Sequence, residues 1–527
     1  MKRQASSRTL LAVVALLTAL IVQPGELGSS DTTRRLQVTH WMWTSAPQVT
    51  PGDFPTFGIA GRDGRIFAWY GLGQSLLMLP SDIIATALIR TVPALHRRDD
   101  LRPILVSYTV SPLVCVLGVL ACFKLLLRLG FTEAQSVAGA LGLLFGTTFL
   151  HYTQNMMENN LLLLLMLTGL RLQYQWLLTG SRKTLITGSF VSGAALLVRL
   201  TAALDVAAAA LFVLGTLYLS SDRNNLVRRL IEYIKLCSPA YLLFLVLDRA
   251  YHYYRFGQCC TNYIQIYGQQ QRALHPDLPA TFPYNTPFWE GFWGAWISPE
   301  KSVLLFDPLL IVLFVVACIA WKRFGPEVKS YIAAMSMLLL MDVCFHARLA
   351  FWSGDVAWGD RYVTVPVQML ALFAIPLLLR YKLGIPSVRA AAAIVVAFSV
   401  AIQLTSVWMP CWVEYRQMIT LGHPTFVIAR RFLNITALTT GQRAAGGADR
   451  TENAAVAAAL PRSVYFYPYI LASRANVPRS IAAAVIFIWS ILLILLCFVL
   501  WRLRATFVGR LTQPFPQEQF DVEQHAF

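Results

Sequence analysis

The sequence predicts an all-α protein with about twelve transmembrane helices and additional helices lying in the membrane interface of its first outside loop. Of its 527 residues, 56% are hydrophobic and 13% are charged, whereas soluble domains carry about 25% charged residues. Apolar runs of about 18 to 22 residues recur along the chain, and each is long enough to cross a bilayer. Lysines and arginines collect between alternate runs, which is typical of the cytoplasmic loops of membrane proteins.

The apolar runs define twelve spans. The first, residues 9–24, follows Lys2, Arg3 and Arg8 as a signal peptide would, but no clear small-residue cleavage site follows it, so we interpret it as a membrane helix. The other eleven cover residues 103–127, 134–153, 159–178, 184–199, 201–220, 229–248, 302–321, 330–347, 363–380, 388–409 and 480–501.

The charges of the short loops set the orientation of these spans. Every second connection is basic, whereas the segment HYTQNMMENN after the third span has no lysine or arginine. The positive-inside rule therefore places both chain ends in the cytoplasm. Three long stretches then face outward: Gly25 to Arg102, Arg249 to Lys301 and Pro410 to Arg479.

This orientation predicts the domain organisation. Residues 1–409 form a transmembrane catalytic module with outside loops 25–102 and 249–301. Residues 410–479 form another outside loop, which is partly flexible, and residues 480–527 form the last span and a cytoplasmic tail.

Two segments of the outside loops have distinct predicted roles. The apolar run from Phe67 to Ile89 contains Gly71, Gly73 and Pro80, which make a poor spanning helix. We therefore expect it to lie in the outer interface, where Trp69 is at home. The small and polar tract from Thr436 to Leu460 predicts a flexible loop on the outside.

Charge and cysteine content exclude other classes of protein. The net charge of +17 comes from basic residues in short loops, which indicates membrane orientation and not nucleic-acid binding. The nine cysteines lie mostly inside apolar runs and have no metal-ligand spacing. The one close pair, Cys259 and Cys260, is interpreted as structural.

The polar residues indicate a site at the outer membrane surface. A transporter keeps polar groups near the bilayer midplane, but here few charges lie in mid-span, and the acids and aromatics gather in the outside loops. A surface site suits a substrate with a lipid tail in the bilayer and a polar head in water. The alternatives are a transporter or flippase of a lipid-linked glycan and a structural envelope scaffold.

Five motifs, taken in order, resemble the bacterial GT-C glycosyltransferases that use polyprenyl-phosphate sugars, including the aminoarabinose transferases and the related protein mannosyltransferases. The motifs are SSDTTRRLQVTHWMWTSAPQV from Ser29, GRDGRIFAWYGLGQSLLMLP from Gly61, GSFVSGAALLVRLTAAL from Gly188, GAWISPEKSVLLFDPLL from Gly294 and WSGDVAWGDRYVTVPV from Trp352. One departure is Thr32, where the aminoarabinose transferases often carry a second acid, and this departure argues against a paired-acid or metal role.

The resemblance implies a GT-C-like fold and a glycosyltransferase that moves a hexose or pentose from a polyprenyl-phosphate donor. The acceptor would be a glycan, a lipid or a protein of the cell envelope. The enzyme would be a multi-pass protein of the bacterial inner (plasma) membrane with its active site facing the periplasm or the outside. No cofactor is assigned, although a divalent metal ion is compatible with the family.

The resemblance places the catalytic acid on Asp31. A carboxylate outside the bilayer is suited to accept the proton of an acceptor hydroxyl as that hydroxyl attacks the anomeric carbon. The alternative is that Asp31 is only the N-cap of an interfacial helix. Asp53 and Asp63 are secondary candidates, and Asp63 in GRDGR is first of all interpreted as a turn residue.

The departing lipid phosphate requires positive charge. Three basic residues, Arg199, Lys301 and Arg361, lie at the outer mouths of predicted spans. We expect them to bind the donor phosphate, arginine through two parallel hydrogen bonds and lysine as a point charge. The alternative is that each only extends its charge to the interface.

Overall fold

The computed structural model describes residues 2–220, 225–381, 386–421, 425–440, 464–474 and 477–511. The described chain is almost entirely helical. Its first twelve helices, numbered in chain order, are α1 (Lys2–Val22), α2 (Ser30–Trp41), α3 (Leu72–Thr91), α4 (Leu101–Arg128), α5 (Glu133–Gly146), α6 (Phe149–Asn155), α7 (Asn159–Thr179), α8 (Arg182–Gly193), α9 (Ala195–Val198), α10 (Ala202–Leu219), α11 (Leu226–Phe256) and α12 (Tyr263–Leu274).

The second half of the chain continues the bundle and ends on a long helix. Its helices are α13 (Phe288–Ile297), α14 (Val303–Phe306), α15 (Leu309–Ala320), α16 (Pro326–His346), α17 (Thr364–Ala371), α18 (Ala374–Tyr381), α19 (Pro386–Ser406), α20 (Trp412–Leu421), α21 (Val427–Thr440), α22 (Tyr467–Ala472) and α23 (Arg479–Leu511).

The all-α, multi-pass class is confirmed. Nine helical segments of the described chain are long and apolar enough to cross a membrane. Each of the twelve predicted spans overlaps one helix or a pair of consecutive helices, although the number twelve itself stays a prediction. Four predicted spans are divided in two, as α5–α6, α8–α9, α14–α15 and α17–α18. The break before α15 falls at Asp307 and Pro308, because proline is suited to begin a helix and not to continue one.

Helix α3 differs from its sequence-based description. It begins directly after Gly71, continues through Pro80, and satisfies the length and composition criteria for a span. Gly71, Gly73 and Pro80 therefore do not prevent a helix of spanning length, contrary to what their presence in the sequence had suggested. The exposed face of α3 includes Leu76 and Ile84, whereas Asp82 on the other face is buried and accepts hydrogen bonds from α2 and α4. An interfacial position for α3 stays a prediction.

Two short strands lie in the segment between α2 and α3, which is part of the predicted first outside loop. Strand β1 (Ile59–Ala60) pairs antiparallel with β2 (Ile66–Phe67) across a tight turn. Asp63 (φ 58°) and Gly64 (φ 70°) lie in this turn, so the predicted turn at GRDGR is confirmed. The side chain of Gln270 on α12 accepts from the Ala60 N–H at 2.9 Å and donates to its carbonyl at 2.6 Å, and so ties α12 to this loop.

The segment after α19, which contains α20 and α21, includes a buried ion pair and packs against the bundle. Arg431 on α21 contacts Glu414 on α20 at 2.6 Å, and their side chains are 0% and 1% exposed. Arg431 also donates to the carbonyl of Met409 at 2.8 Å and stacks on Trp358. Within the tract predicted as flexible, residues 436–440 belong to α21, and residues 441–460 lie outside the described residues.

The topology has a direct test in the exposed cysteines Cys259 and Cys260, which follow α11. In a variant that keeps only Cys260, we expect a membrane-impermeant maleimide to label intact cells, because the loop after α11 is predicted to face outward. A matched variant without native cysteines that carries Arg504→Cys, in the exposed part of α23 beyond the predicted span 480–501, should label only after permeabilisation. The opposite pattern would invert the topology.

Candidate functional site

A cavity of about 590 Å³ lies where the loop segments meet. It is lined by residues from five separate parts of the chain, so the fold and not a local motif creates it. The charged residues of its lining are Asp31, Asp355 and Arg361. Aromatic side chains form much of the rest: Phe57, Trp69, Tyr263, Tyr267, Phe351, Tyr362, Trp412 and Tyr415.

Asp31 lies in the first turn of α2, but it is not the N-cap. The side chain of Ser29 caps the helix by accepting from the Thr32 N–H, so the alternative that Asp31 serves only as the N-cap is wrong. The Asp31 carboxylate instead accepts from the Tyr70 hydroxyl at 2.7 Å and from Arg361 Nη1 at 2.5 Å. Its side chain is 15% exposed, and it remains open to the cavity.

Asp31 and Arg361 are 330 positions apart in the chain, and the structure brings these two predicted site residues into direct contact. Two residues far apart in the sequence thus form one ion pair. Arg361 lies 3.8 Å from Asp355 and stacks over the ring of Tyr362. Its guanidinium is therefore shared between two carboxylates at the cavity wall.

The ionisation of this pair follows from its surroundings. Burial would raise the pKa of Asp31, but the charges of Arg361 and Arg35 and the hydrogen bonds from Tyr70 and Arg361 outweigh it, so the pKa lies below its ordinary value. Burial would lower the pKa of Arg361, but Asp31 raises it well above its usual range. Both groups are ionised at neutral pH.

Two supporting residues were not singled out by the sequence analysis. Tyr70 was only part of the apolar run from Phe67 to Ile89 that was assigned to the membrane interface, and Glu158 was part of a loop noted for its lack of basic residues. Glu158 contacts Arg35 at 2.6 Å, and Arg35 lies 4.3 Å from the centre of the Tyr70 ring. An acid at the start of α7, next to an outside loop, was the available signal for Glu158.

Thr32 explains the missing second acid. It is fully buried and donates to the carbonyls of Asn155 and Met156 at 3.2 and 3.1 Å. An ionised carboxylate at position 32 has no proton to donate and would face these two oxygens. The other acid near Asp31 comes from α7, as Glu158, and not from α2.

Lys301 lies outside the cavity lining and contacts the loop that forms one wall of the cavity. Its ammonium donates to the carbonyls of Asp355 (2.5 Å), Ala357 (2.7 Å) and Gly359 (3.4 Å), which accounts for the three N–H groups of a lysine. Burial lowers its pKa to about 8. Lys301 therefore acts on the cavity through the loop, and a direct phosphate contact would require it to leave these carbonyls.

The other predicted residues lie outside the cavity lining. Arg199 follows α9, and its Nε and Nη2 are buried without a hydrogen-bond partner among the described residues. Asp53 pairs with Arg34 at 2.5 Å. Asp63 is in the turn between the strands, with its side chain 73% exposed. Of the six predicted site residues, only Asp31 and Arg361 line the cavity.

The described residues contain no group of three or more histidine, cysteine, aspartate or glutamate side chains that could hold a metal ion. Two carboxylates of this region are instead paired with arginines: Asp31 with Arg361 and Glu158 with Arg35. A third, Asp355, lies 3.8 Å from Arg361 in the cavity lining.

Comparison with known proteins gives a distant structural likeness. No family model matches the sequence, and no curated protein matches it either. One similar solved structure is the archaeal oligosaccharyltransferase AglB from Archaeoglobus fulgidus in complex with an inhibitory peptide and a dolichol-phosphate, with 13% identity, a TM-score of 0.43, and coverage of 83% of this chain and 57% of that one.

Another similar structure is the Archaeoglobus fulgidus oligosaccharyltransferase in the apo form, with 12% identity, a TM-score of 0.44, and coverage of 86% of this chain and 59% of that one. The present chain thus spans less than two thirds of the length of either. The function proposed for this chain is therefore derived from the residues of the site.

Proposed function

We propose that this protein is an integral membrane glycosyltransferase, which moves a sugar from a polyprenyl-phosphate donor to an acceptor of the cell envelope on the outer face of the membrane. The observation that carries the proposal is the Asp31–Arg361 pair at the wall of a cavity built from the outside loops. A carboxylate and a guanidinium side by side are the groups that a hydroxyl nucleophile and a phosphate leaving group require.

The proposed reaction is a displacement at the anomeric carbon of the donor sugar. The acceptor hydroxyl oxygen attacks this carbon, and the bond from carbon to the phosphate oxygen breaks. The electron pair of that bond leaves with the polyprenyl phosphate, whose charge Arg361 stabilises. The proton of the acceptor hydroxyl passes to Asp31.

The resting contact between Asp31 and Arg361 makes Asp31 a weak base, because its pKa is lowered. A donor phosphate is an anion and competes with Asp31 for the guanidinium, which binds phosphate through two parallel hydrogen bonds. As Arg361 turns toward the phosphate, Asp31 loses a hydrogen bond and a close positive charge, so its pKa rises. Donor binding would thereby prepare the base.

The flippase alternative places polar groups near the bilayer midplane. Two buried acids of the described spans, Asp205 and Asp342, have carboxylate oxygens without a hydrogen-bond partner in the described chain. Asp205 lies in the first turn of α10, and Asp342 lies four residues before the end of α16. They are therefore at helix ends, on the side of the cavity, which favours a surface reaction over a path across the membrane.

The test is a transfer assay with the purified protein in detergent, a polyprenyl-phosphate sugar labelled in the sugar, and an extract of envelope acceptors. A transferase releases free polyprenyl phosphate in proportion to the labelled acceptor. A flippase leaves the sugar–phosphate bond intact. Intact donor after many hours with every acceptor fraction would contradict the proposal.

Tyr70 gives a prediction on pH. Its hydrogen bond contributes to the lowered pKa of Asp31, so Tyr70→Phe should raise that pKa. Because a base must be unprotonated, kcat/KM falls as pH drops through its pKa, and the acid limb of the profile should move to higher pH. Tyr108→Phe, outside the cavity lining, is the control. An unmoved limb in Tyr70→Phe would argue against Asp31 as the base.

A further inference from the structure

We propose that Asp355 is a specificity-determining residue, whose carboxylate accepts hydrogen bonds from hydroxyl groups of the sugar on the donor. This inference rests on the proposed function and extends it to the recognition of the transferred group. Asp355 was not among the predicted site residues, and Arg361 was the one residue of its loop that was.

The first observation is that the loop carrying Asp355 is held rigidly by side chains of distant elements. Besides the three carbonyls bound by Lys301, the loop carbonyls of three further residues are occupied. Their donors are the Cys411 thiol to Val356 O (2.8 Å), the Tyr152 hydroxyl to Trp358 O (3.2 Å) and the Asn159 amide to Arg361 O (2.8 Å). These hydrogen bonds hold the backbone of the loop in place and so fix the position from which the Asp355 side chain extends.

The second observation is the backbone of Asp355 itself. Its φ is +54°, directly after Gly354 at +77°. A left-handed conformation costs a non-glycine residue free energy, and glycine would avoid this cost. An aspartate at position 355 is therefore less favourable for the backbone than glycine would be. Such a cost is a common sign of a functional role.

The third observation is the state of the carboxylate. It lines the cavity, and its side chain is 58% exposed. Arg361 lies 3.8 Å from it, beyond hydrogen-bond length, and no side chain of the described residues donates a hydrogen bond to it. Asp31 by contrast accepts two short hydrogen bonds. The lone pairs of Asp355 are thus available to a ligand in the cavity.

The chemistry of the ligand follows from this geometry. An ionised carboxylate only accepts hydrogen bonds, and it repels phosphate, so the donor phosphate on Arg361 must point away from it. The group attached to that phosphate, the sugar, is then the part within reach of Asp355. Sugar hydroxyls are donors, and Tyr263 and Tyr267 of the same cavity offer ring faces for the apolar side of a sugar.

Asp63 provides a matched control inside the same chain. It is also an aspartate with positive φ (+58°) next to a glycine with positive φ, Gly64 (+70°), and it also lies in an outside loop. It differs in lying outside the cavity lining, with a side chain that is 73% exposed. A purely conformational role of aspartate in such turns would make the two positions equivalent.

The experiment compares wild type, Asp355→Asn and Asp63→Asn with a panel of polyprenyl-phosphate pentoses and hexoses and their monodeoxy analogues. Asparagine tolerates the left-handed conformation, so the loop should keep its shape, which equal thermal unfolding midpoints would verify. For wild type and Asp63→Asn, we expect at least one deoxy donor to lose about tenfold in kcat/KM, as for one hydrogen bond to a charged group. Asp355→Asn should lose most of that discrimination.

Binding of sugar-free polyprenyl phosphate separates recognition of the sugar from general damage. We expect Asp355→Asn to bind sugar-free polyprenyl phosphate at least as tightly as wild type, because the phosphate contacts Arg361 and the variant removes a carboxylate that repels it. If Asp355→Asn discriminates among the donors as wild type does, or weakens sugar-free lipid to the same extent as the complete donors, the inference about Asp355 is wrong while the proposed function stands. If wild type neither binds polyprenyl phosphate nor transfers any sugar, the proposed function fails, and this inference fails with it.

Discussion

Asp31→Asn is expected to reduce sugar transfer by a factor of about 100 or more, while the protein level and the thermal unfolding midpoint stay close to those of wild type. Asparagine has nearly the size of aspartate but takes up no proton. The start of α2 should be unaffected, because Ser29 and not Asp31 caps the helix. The measurement is the initial rate of transfer by purified protein at saturating donor.

Asp100→Asn is the matched control for this variant. Asp100 is also an acid of the first outside loop in contact with an arginine, since Arg474 lies 2.7 Å away, but it lies outside the cavity lining. Its rate should equal that of wild type. Transfer at the wild-type rate by Asp31→Asn would remove Asp31 from the reaction and would direct attention to Asp355 as the acid of the cavity.

Arg361→Ala is expected to weaken donor binding about ten- to a hundred-fold, the effect of losing a hydrogen bond between charged groups. Arg361→Lys keeps the charge but not the two parallel hydrogen bonds, so it should lie between alanine and wild type. The measurement is the competition of sugar-free polyprenyl phosphate for labelled donor, which depends on binding and not on turnover.

Removal of Arg361 also leaves Asp31 without its ion-pair partner, so folding must be measured beside affinity. The double variant Asp31→Asn with Arg361→Gln leaves no unpaired charge at this contact and should restore the unfolding midpoint but not the donor affinity. Arg474→Ala, which removes an arginine from an ion pair outside the cavity lining, should change neither quantity. Unchanged donor affinity in Arg361→Ala would show that this arginine serves only to hold Asp31.

The membrane class was predictable because it depends on composition, whereas the outside location of the acids, which was inferred from local charge, stays a prediction. An apolar run long enough to span a bilayer is recognisable from its length and composition alone. Five helices lie where such runs predicted them, namely α4, α7, α10, α16 and α19. The breaks inside four spans were less accessible. They depend on single residues such as Pro308, whose effect on a long apolar run is small.

The contact between Asp31 and Arg361 was predictable only in part. Arg361 was identified by its type and its place at a span end, and Asp31 by the resemblance of the stretch after the first span, but their pairing requires the packing of helices far apart in the sequence. Lys301 shows the limit of such reasoning. Its position at a helix mouth suggested a phosphate ligand, whereas the tertiary fold directs its ammonium to three carbonyls of one loop.

Tyr70 and Glu158 were missed for a related reason. A tyrosine near an apolar run has an ordinary explanation at the membrane interface, and an acid before a helix has an ordinary explanation at its N-terminus. Their relation to Asp31 exists only in three dimensions, through a hydrogen bond from Tyr70 and through Arg35 between the two acids. A single sequence does not contain that information in readable form.

The central claim is that the phosphate of a lipid-linked sugar lies in the cavity at Arg361. Photo-cross-linking tests it most directly, with a polyprenyl phosphate that carries a diazirine on the group attached to the phosphate, followed by mass spectrometry of the labelled peptides. We predict labelling within residues 351–362 or 263–267, suppression by unlabelled donor, and loss of labelling in Arg361→Ala. Labelling confined to α10 and α16 around Asp205 and Asp342, or labelling that unlabelled donor fails to suppress, would contradict the claim.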